Sequence, residues 1–215
     1  MSNGNIKLSI LILTIASRVG DNFSKLIVYL NKQIGNREDV EVLALYDNKK
    51  RSVGEKRNNL ISLANGEYLS FIDDDDWISD DYISSIIEVV DKKEKPDCIV
   101  FDTLTTLVDF NIEQVSKFGI EFDYWRSADR TQRRCKPSHL NVWRTEFARK
   151  YKYQNITFGE DTEWSERVWR DIIRQKRIEK TLLFPVFERS KSETRTSPLK
   201  AKVLLKDMWR VSEKY

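Results

Sequence analysis

Over the first 101 residues, short apolar runs alternate with amphipathic stretches, and few folds accommodate that rhythm. Ile6 to Thr14 has the unbroken apolar character of a strand buried on both faces. Phe23, Leu26, Ile27, Leu30 and Ile34 then recur at helical spacing, behind a cap at Asp21 or Asn22. Val40 to Tyr46 predicts a second strand, and Leu60, Ile61 and Ala64 line a second helix closed by Asn65-Gly66. Tyr68 to Ile72 predicts a third strand. Ile83, Ile86, Ile87 and Val90 mark a helix capped by Ser79 or Asp80, and Asp97 to Phe101 predicts a fourth strand after Pro96. This order implies an α/β fold with parallel, right-handed crossovers and helices on both faces of the sheet. Ligands of such sheets bind at the carboxyl ends of the strands, which singles out Thr14, Asp47 and the run Asp73–Asp76.

The second half is less regular. Residues 102–136 read as strand or ribbon pieces broken by charged loop, including Asp123-Tyr-Trp-Arg126 and the basic run Arg130 to Arg134. Trp164, Val168, Trp169, Ile172 and Ile173 predict an amphipathic helix, and Thr181 to Phe187 another strand. Arg189 to Ser197 reads as a polar tail, and Val203 to Val211 as a closing helix. With no internal repeat and no composition break, the expectation is one domain over residues 1–215, its halves sharing one sheet.

Composition narrows the class. A content of 40% hydrophobic and 33% charged residues is that of a globular chain, and a net charge of +3 gives no case for nucleic acid. Cys98 and Cys135 are too few for a disulfide framework and lack metal-ligand spacing. The first apolar run is too short to span a bilayer and has neither a basic leader nor a cleavage site. A soluble, cytoplasmic protein without a membrane span is expected.

Four consecutive carboxylates, Asp73 to Asp76, at the end of an apolar strand repel one another unless a cation or hydrogen bonds offset the repulsion. Hard oxygen ligands suit Mn²⁺ or Mg²⁺, which keep positions open for phosphate oxygens. A solvated turn that caps the next helix is the alternative. Glu160-Asp161 opens a helix, where a carboxylate is favoured by the dipole and by free N–H groups whatever else it does. Gly54-Glu-Lys-Arg-Asn58 opens the helix before the acidic strand and reads equally as a charged face. The one histidine, His139, lies between the two acidic motifs in a place open to a metal or acceptor contact.

In their order along the chain these motifs resemble the inverting glycosyltransferases of family 2, which have the GT-A fold. The resemblance covers about residues 6 to 187: Thr14 to Arg18, Asp47, Lys56-Arg57-Asn58, Ala64-Asn-Gly-Glu-Tyr68, Asp73–Asp76, and Glu160-Asp161 with Arg167. It implies a GT-A domain with a central mixed, mostly parallel sheet flanked by helices. Residues 1–101 would form a nucleotide-binding half, 102–187 an acceptor-binding half, and 188–215 a tail or helix. It also implies a nucleotide-sugar donor, UDP favoured, and a glycan, lipid-linked or protein acceptor. Thr14, Ile15, Arg18, Asp47, Arg57, Asp73 and Asp74 would meet the donor, and Asp73 and Asp75, with His139, the metal. The register of that motif stays open to Asp76. Asp161, beside Glu160, would be the catalytic base, and Trp77, His139 and Trp164 would contact the acceptor, with Trp125 a further aromatic candidate. Pro137 to Arg144 falls where such enzymes have a strand beneath the acceptor site.

Rivals fare less well. An aspartyl phosphatase wants its Asp-x-Asp after the first strand. A nucleotidyltransferase wants a glycine-rich loop where Ile15-Ala-Ser-Arg18 stands. A non-catalytic nucleotide-sugar or glycan-binding module has no use for a base at Asp161.

Overall fold

The computed structural model describes residues 6–20, 22–92 and 94–188. Strand β1 (Leu8–Ile15) is buried along its whole length, and its alternate residues feed two cores. Ile10 and Ile12 pack with Leu26, Leu30, Ile83 and Ile86, whereas Leu11 and Leu13 pack with Leu60, Ile61, Phe71, Trp143 and Trp164. The first group draws on helices α1 (Asn22–Ile34) and α3 (Tyr82–Asp91), the second on α2 (Val53–Leu63) and α5 (Glu160–Val168). That division gives the unbroken apolar run its cause: both faces of β1 are covered.

Strands β2 (Val40–Asp47) and β3 (Tyr68–Asp73) flank β1 in parallel. β9 (Val142–Arg144) is inserted antiparallel between β3 and β5 (Cys98–Leu107). The sheet continues through β6 (Ile112–Phe118), β8 (Gln132–Cys135) and β7 (Trp125–Arg126). β10 (Gln175–Phe184) and β11 (Val186–Phe187) pair in parallel with β5, and β10 also pairs with the short β4 (Trp77–Ile78). The short helix α4 (Thr145–Ala148) follows β9. The sheet is therefore mixed and flanked by helices. Among the described residues no helix is long and apolar enough to cross a membrane.

Several boundaries differ from the sequence reading. The cap position of α3 is Asp81, not Ser79 or Asp80; its carboxylate accepts from the Ser79 and Ser85 hydroxyls and from Lys180. The helix expected from Trp164 to Ile173 leaves α geometry after Val168, and Ile173 is 86% exposed. The strand expected at Thr181 to Phe187 starts at Gln175 and is interrupted at Pro185, which has no N–H for the ladder. Residues 102–136 hold longer strands than expected, since β5 runs on to Leu107. Asp21, the polar tail and the helix expected at 203–211 lie outside the described residues.

Candidate active site

Register brings three motifs side by side. Ile15 pairs with Asp47 and Leu13 with Asp73, so the carboxyl ends of β2, β1 and β3 form one edge. Thr14 is buried there, and the chain after Ile15 makes a 3-10 turn over Ala16–Arg18. Arg18 reaches across to the acidic run, with Nη1 2.7 Å from Asp74 Oδ1 and 3.1 Å from Asp75 Oδ2.

Asp47 is buried and accepts hydrogen bonds from the backbone N–H groups of Lys49 and Arg51. Lys56 Nζ lies 3.3 Å away and is buried with it. Burial pushes the Asp47 carboxyl up, but the Lys49 N–H and the Lys56 ammonium outweigh it and hold the group below its ordinary value.

The aspartate run folds into a turn closed by the Asp76 N–H on the Asp73 carbonyl at 3.1 Å. Its residues alternate: Asp73 and Asp75 keep 39% and 38% of their side-chain surface, whereas Asp74 and Asp76 are buried. Burial raises the pKa of Asp75, where Arg18 lowers it and Asp73 and Asp74 add to the rise. Asp76 is raised well above the carboxylate range by burial and by Asp73 and Asp75, with the Val186 N–H as a weak counterweight.

The second acidic pair faces this turn through Arg57. Gly54 lets the start of α2 approach the 153–156 loop: a Cβ there would sit 1.9 Å from the Gln154 carbonyl oxygen. Arg57, on the next turn, is buried between Asp73 (Nη2, 3.4 Å) and Glu160 (Nε, 3.3 Å), with its guanidinium 4.8 Å from the Phe71 ring centroid. Gly159, at φ 75°, turns the chain into α5. Asp161 then accepts the Thr162 N–H at 2.7 Å and lies 3.7 Å from His139 Nδ1. Burial pushes Asp161 up, yet His139 and Arg57 hold it below its ordinary value. Glu160, with Arg57 as its partner, is nevertheless raised by burial.

Several expected contacts are corrected. Trp164 presents no face to a sugar: it is 1% exposed, stacked on Tyr153 at 4.8 Å and edge-on to Trp143 at 5.0 Å. Trp77 is half-exposed but lies on Tyr29 of α1 at 4.9 Å, in a groove lined by Ser24, Lys25, Val28 and Lys32. Arg57 and Asp74 are not open donor contacts; Arg57 bridges two carboxylates, and Asp74 turns inward to Arg18. Glu160 is buried against Arg57. His139 is buried beside Asp161, and burial and Arg57 lower its pKa. Among the described residues no three His, Cys, Asp or Glu side chains form a metal cage, so Asp73, Asp75 and His139 do not close one.

The sequence assigns no role of their own to two residues of the site. Lys56 looked like part of a charged helix face, and its signal was its place nine residues after Asp47 with no acid on the next helical turn. Tyr153, which stacks on Trp164 and lies 5.8 Å from the Arg57 guanidinium, stands in a loop with no periodicity to mark it.

A buried acid after β2, a cationic turn after β1 and an acidic turn after β3, faced by a carboxylate on a later helix, define a GT-A type of sheet edge. The family model described as glycosyl transferase family 2 matches residues 21–162, and the chain belongs to that family. No curated protein matches the chain. Among solved structures, S. aureus TarS 1–349 superposes with a TM-score of 0.61 at 15% identity, covering 84% of this chain and 60% of that one. Its complex with UDP-GlcNAc gives 0.58 at 13% identity, over 87% and 61%. A longer S. aureus TarS chain gives 0.58 at 13%, with 85% of this chain covering 37% of that one. The chain thus spans about three fifths of the shorter TarS form. At these identities the likeness is one of fold.

Proposed function

We propose that the chain transfers a sugar from a nucleoside-diphosphate donor to a hydroxyl of a glycan, lipid-linked or protein acceptor, with inversion and with Asp161 as general base. The observation that carries this is the placement of Asp161. It lies at the start of α5 beside His139, its carboxyl held below its ordinary value, and it follows Glu160, whose partner Arg57 also reaches Asp73 of the acidic turn. The complexes of S. aureus TarS with UDP-GlcNAc and with UDP favour UDP as the donor nucleotide.

The donor side is built on β1, β2 and β3. Asp47 would accept from the base or ribose, and the Thr14–Arg18 turn would lie along the diphosphate. The acidic turn fits a hard divalent cation: its donors are all carboxylate oxygens, they repel one another, and Asp74 Oδ2 is buried with no hydrogen-bond partner among the described residues. Asp73 and Asp75, the two open members, would hold Mn²⁺ or Mg²⁺ together with donor phosphate oxygens. Bound there, the cation would supply neutralisation of the charge on the departing diphosphate.

Asp161 takes the acceptor proton as the hydroxyl oxygen bonds to the anomeric carbon, while the bond from that carbon to the diphosphate oxygen breaks on the opposite side. Arg57 lies between Glu160 and Asp73 and ties the start of α5 to the acidic turn, so that Asp161 and the turn hold their separation. The direct test is UDP release from UDP-sugars with and without Mn²⁺, in the presence of hydroxyl acceptors. Mn²⁺-dependent binding of UDP-sugar with no turnover on any acceptor would make the chain a binding module instead.

A further inference from the structure

The sheet is guarded at one end and open at the other. In the order β2-β1-β3-β9-β5-β6-β8-β7, the last strand is two residues long and carries Arg126, a short charged edge that discourages further pairing. The first strand has no such device. β2 runs for eight residues in unbroken register with β1, contains no proline, and among the described residues has no strand on its other side. Its two acids are engaged within the chain. Glu41 accepts from the Ser9 hydroxyl and from Asn65, and Asp47 from Lys56 and the turn that follows.

Hydrogen bonding fixes which groups of β2 face outward. The Leu8 N–H donates to the Asp39 carbonyl, and bonds in a parallel ladder alternate, so the odd-numbered residues of β2 turn their backbone groups to β1. Val40, Val42, Ala44 and Tyr46 turn theirs away from it. A row of outward N–H and C=O groups on a strand of this length is a template for another strand. The side chains along it suit cover better than water: Tyr46 is 55% exposed, Ala44 is exposed, and Leu43 and Leu45 are half-buried.

The sequence of β2 decides which strand fits. An antiparallel partner must bring outward-facing residues opposite one another, so in a pair of identical strands the two-fold axis falls on a residue and not between two. With the axis at Ala44, Val42 faces Tyr46 and Leu43 faces Leu45, each match made twice by symmetry. Beyond the strand ends, the exposed Glu38 faces the exposed Lys50, and Asp39 faces Lys49. With the axis at Leu43, Asp39 would face Asp47 and Arg37 would face Lys49, like against like. The Ala44 register also sets Glu41 opposite Asp47 and Arg37 opposite Arg51, but Glu41, Asp47 and Arg37 already have partners in their own chain.

We propose that β2 is a self-association edge, at which two copies of the chain pair antiparallel about Ala44 and join their sheets into one. A second copy fits better than an unrelated strand, because one stretch of eight residues supplies both halves of every side-chain match and its flanking charges close twice. The two β2 strands then point in opposite directions, so the candidate sites lie toward opposite ends of the joined sheet. The pairing is independent of the transferase reading.

The test is sedimentation velocity of the full chain from micromolar to near-millimolar concentration. One strand pair is a small interface, so the parent is expected to dimerise reversibly within that range. Ala44→Lys sets two ammonium groups opposite each other at the axis, on an exposed position. It should weaken the dimer by about tenfold or more, with an unchanged melting temperature. Glu38→Lys and Lys50→Glu should each weaken it by roughly tenfold, because two attractive contacts become repulsive. An equimolar mixture of those two variants should dimerise like the parent, since each charge then meets its opposite. A parent that stays monomeric throughout overturns the proposal, and slow hydrogen exchange along β2 in that monomer would give the edge to another segment of the same chain. A dimer that survives Ala44→Lys also overturns it, by placing the contact on another surface. So does a mixture no tighter than its two components, which would exclude the register about Ala44.

Discussion

Arg57 and Glu160 stand 103 residues apart in sequence and meet at 3.3 Å, both buried, at the junction of the two acidic motifs. The same guanidinium lies 3.4 Å from Asp73, so one cation sits between the strand-end carboxylate and the start of α5. Coulombic attraction to Asp73 and Glu160 keeps its pKa above the ordinary arginine value despite the cost of burial. Distances of 3.3 and 3.4 Å mark ion pairs rather than tight hydrogen bonds, and the contribution is one of charge balance.

Removing that cation should cost more than any exposed charge in the chain. Arg57→Ala leaves Glu160 buried without its partner, and truncating one side of a buried pair typically costs about 3–5 kcal/mol. Urea unfolding of Arg57→Ala, Glu160→Gln and the double variant measures it. The double variant should recover part of the loss, because Gln carries no charge to be stranded. Additive losses would mean that the pair is not coupled.

The acidic turn should behave as a stored repulsion. Asp75 and Asp76 both have folded-state pKa values raised by burial and by neighbouring carboxylates. A raised acid stabilises the fold while protonated, and that contribution is lost as pH rises through its folded pKa. Asp75 and Asp76 should therefore cost the metal-free chain stability as pH climbs from the ordinary carboxylate range toward neutrality, against the opposite contribution of His139, whose pKa is lowered, and Asp75→Ala should shrink that cost. In the same variant, Mn²⁺-dependent binding of UDP by calorimetry should disappear. A parent-like slope together with parent-like binding would place the metal site elsewhere.

Asp47 should report on the nucleotide. Its carboxylate is partly occupied by two backbone N–H groups and by Lys56, so Asp47→Ala strands a buried ammonium as well as removing a ligand contact. Asp47→Asn is the cleaner variant. It should weaken UDP binding by about 1–3 kcal/mol, the cost of an unmade hydrogen bond in a buried site. Titrations with UDP, GDP and TDP that match the parent throughout would detach Asp47 from donor recognition.

The sequence made visible whatever periodicity or strand position encodes. β1 was legible because both its faces are covered, and Asp47 and Asp73 were legible because they end strands that register then sets side by side. Direction of burial was not legible. Trp164 and Trp77 are the same residue type beside comparable acidic motifs, yet one lies sealed under Tyr153 and the other half-exposed on Tyr29. The partners of Lys56 and Arg57 were not legible either, because they come from β2, β3 and α5 rather than from their own helix. The alternation of Asp73 to Asp76 between open and buried is likewise a property of the turn, and four identical residues carry no mark of it.

Asp161 gives the sharpest separation between a helix start and a base. Its Oδ1 accepts the Thr162 N–H at 2.7 Å, so part of its role is local to α5, and Asn can keep that bond. Asp161→Asn should fold and bind UDP-sugar like the parent, while transfer falls by roughly a hundredfold to ten-thousandfold, the usual worth of a general base. The pH profile adds a second readout. His139 and Arg57 outweigh burial and hold the Asp161 pKa below its ordinary value. A base is lost as pH falls through its folded pKa, so kcat/KM should show no loss from this group between neutrality and the ordinary carboxylate range. The acid limb should appear below that range, and it should move upward in Arg57→Met, which removes one of the two cationic influences. Glu160→Gln is the companion control, since Glu160 faces Arg57 and not the open side. It should reduce turnover far less than Asp161→Asn. The reverse order of effects would transfer the base role to Glu160, and normal turnover in both variants would leave the pair as the start of α5 and nothing more.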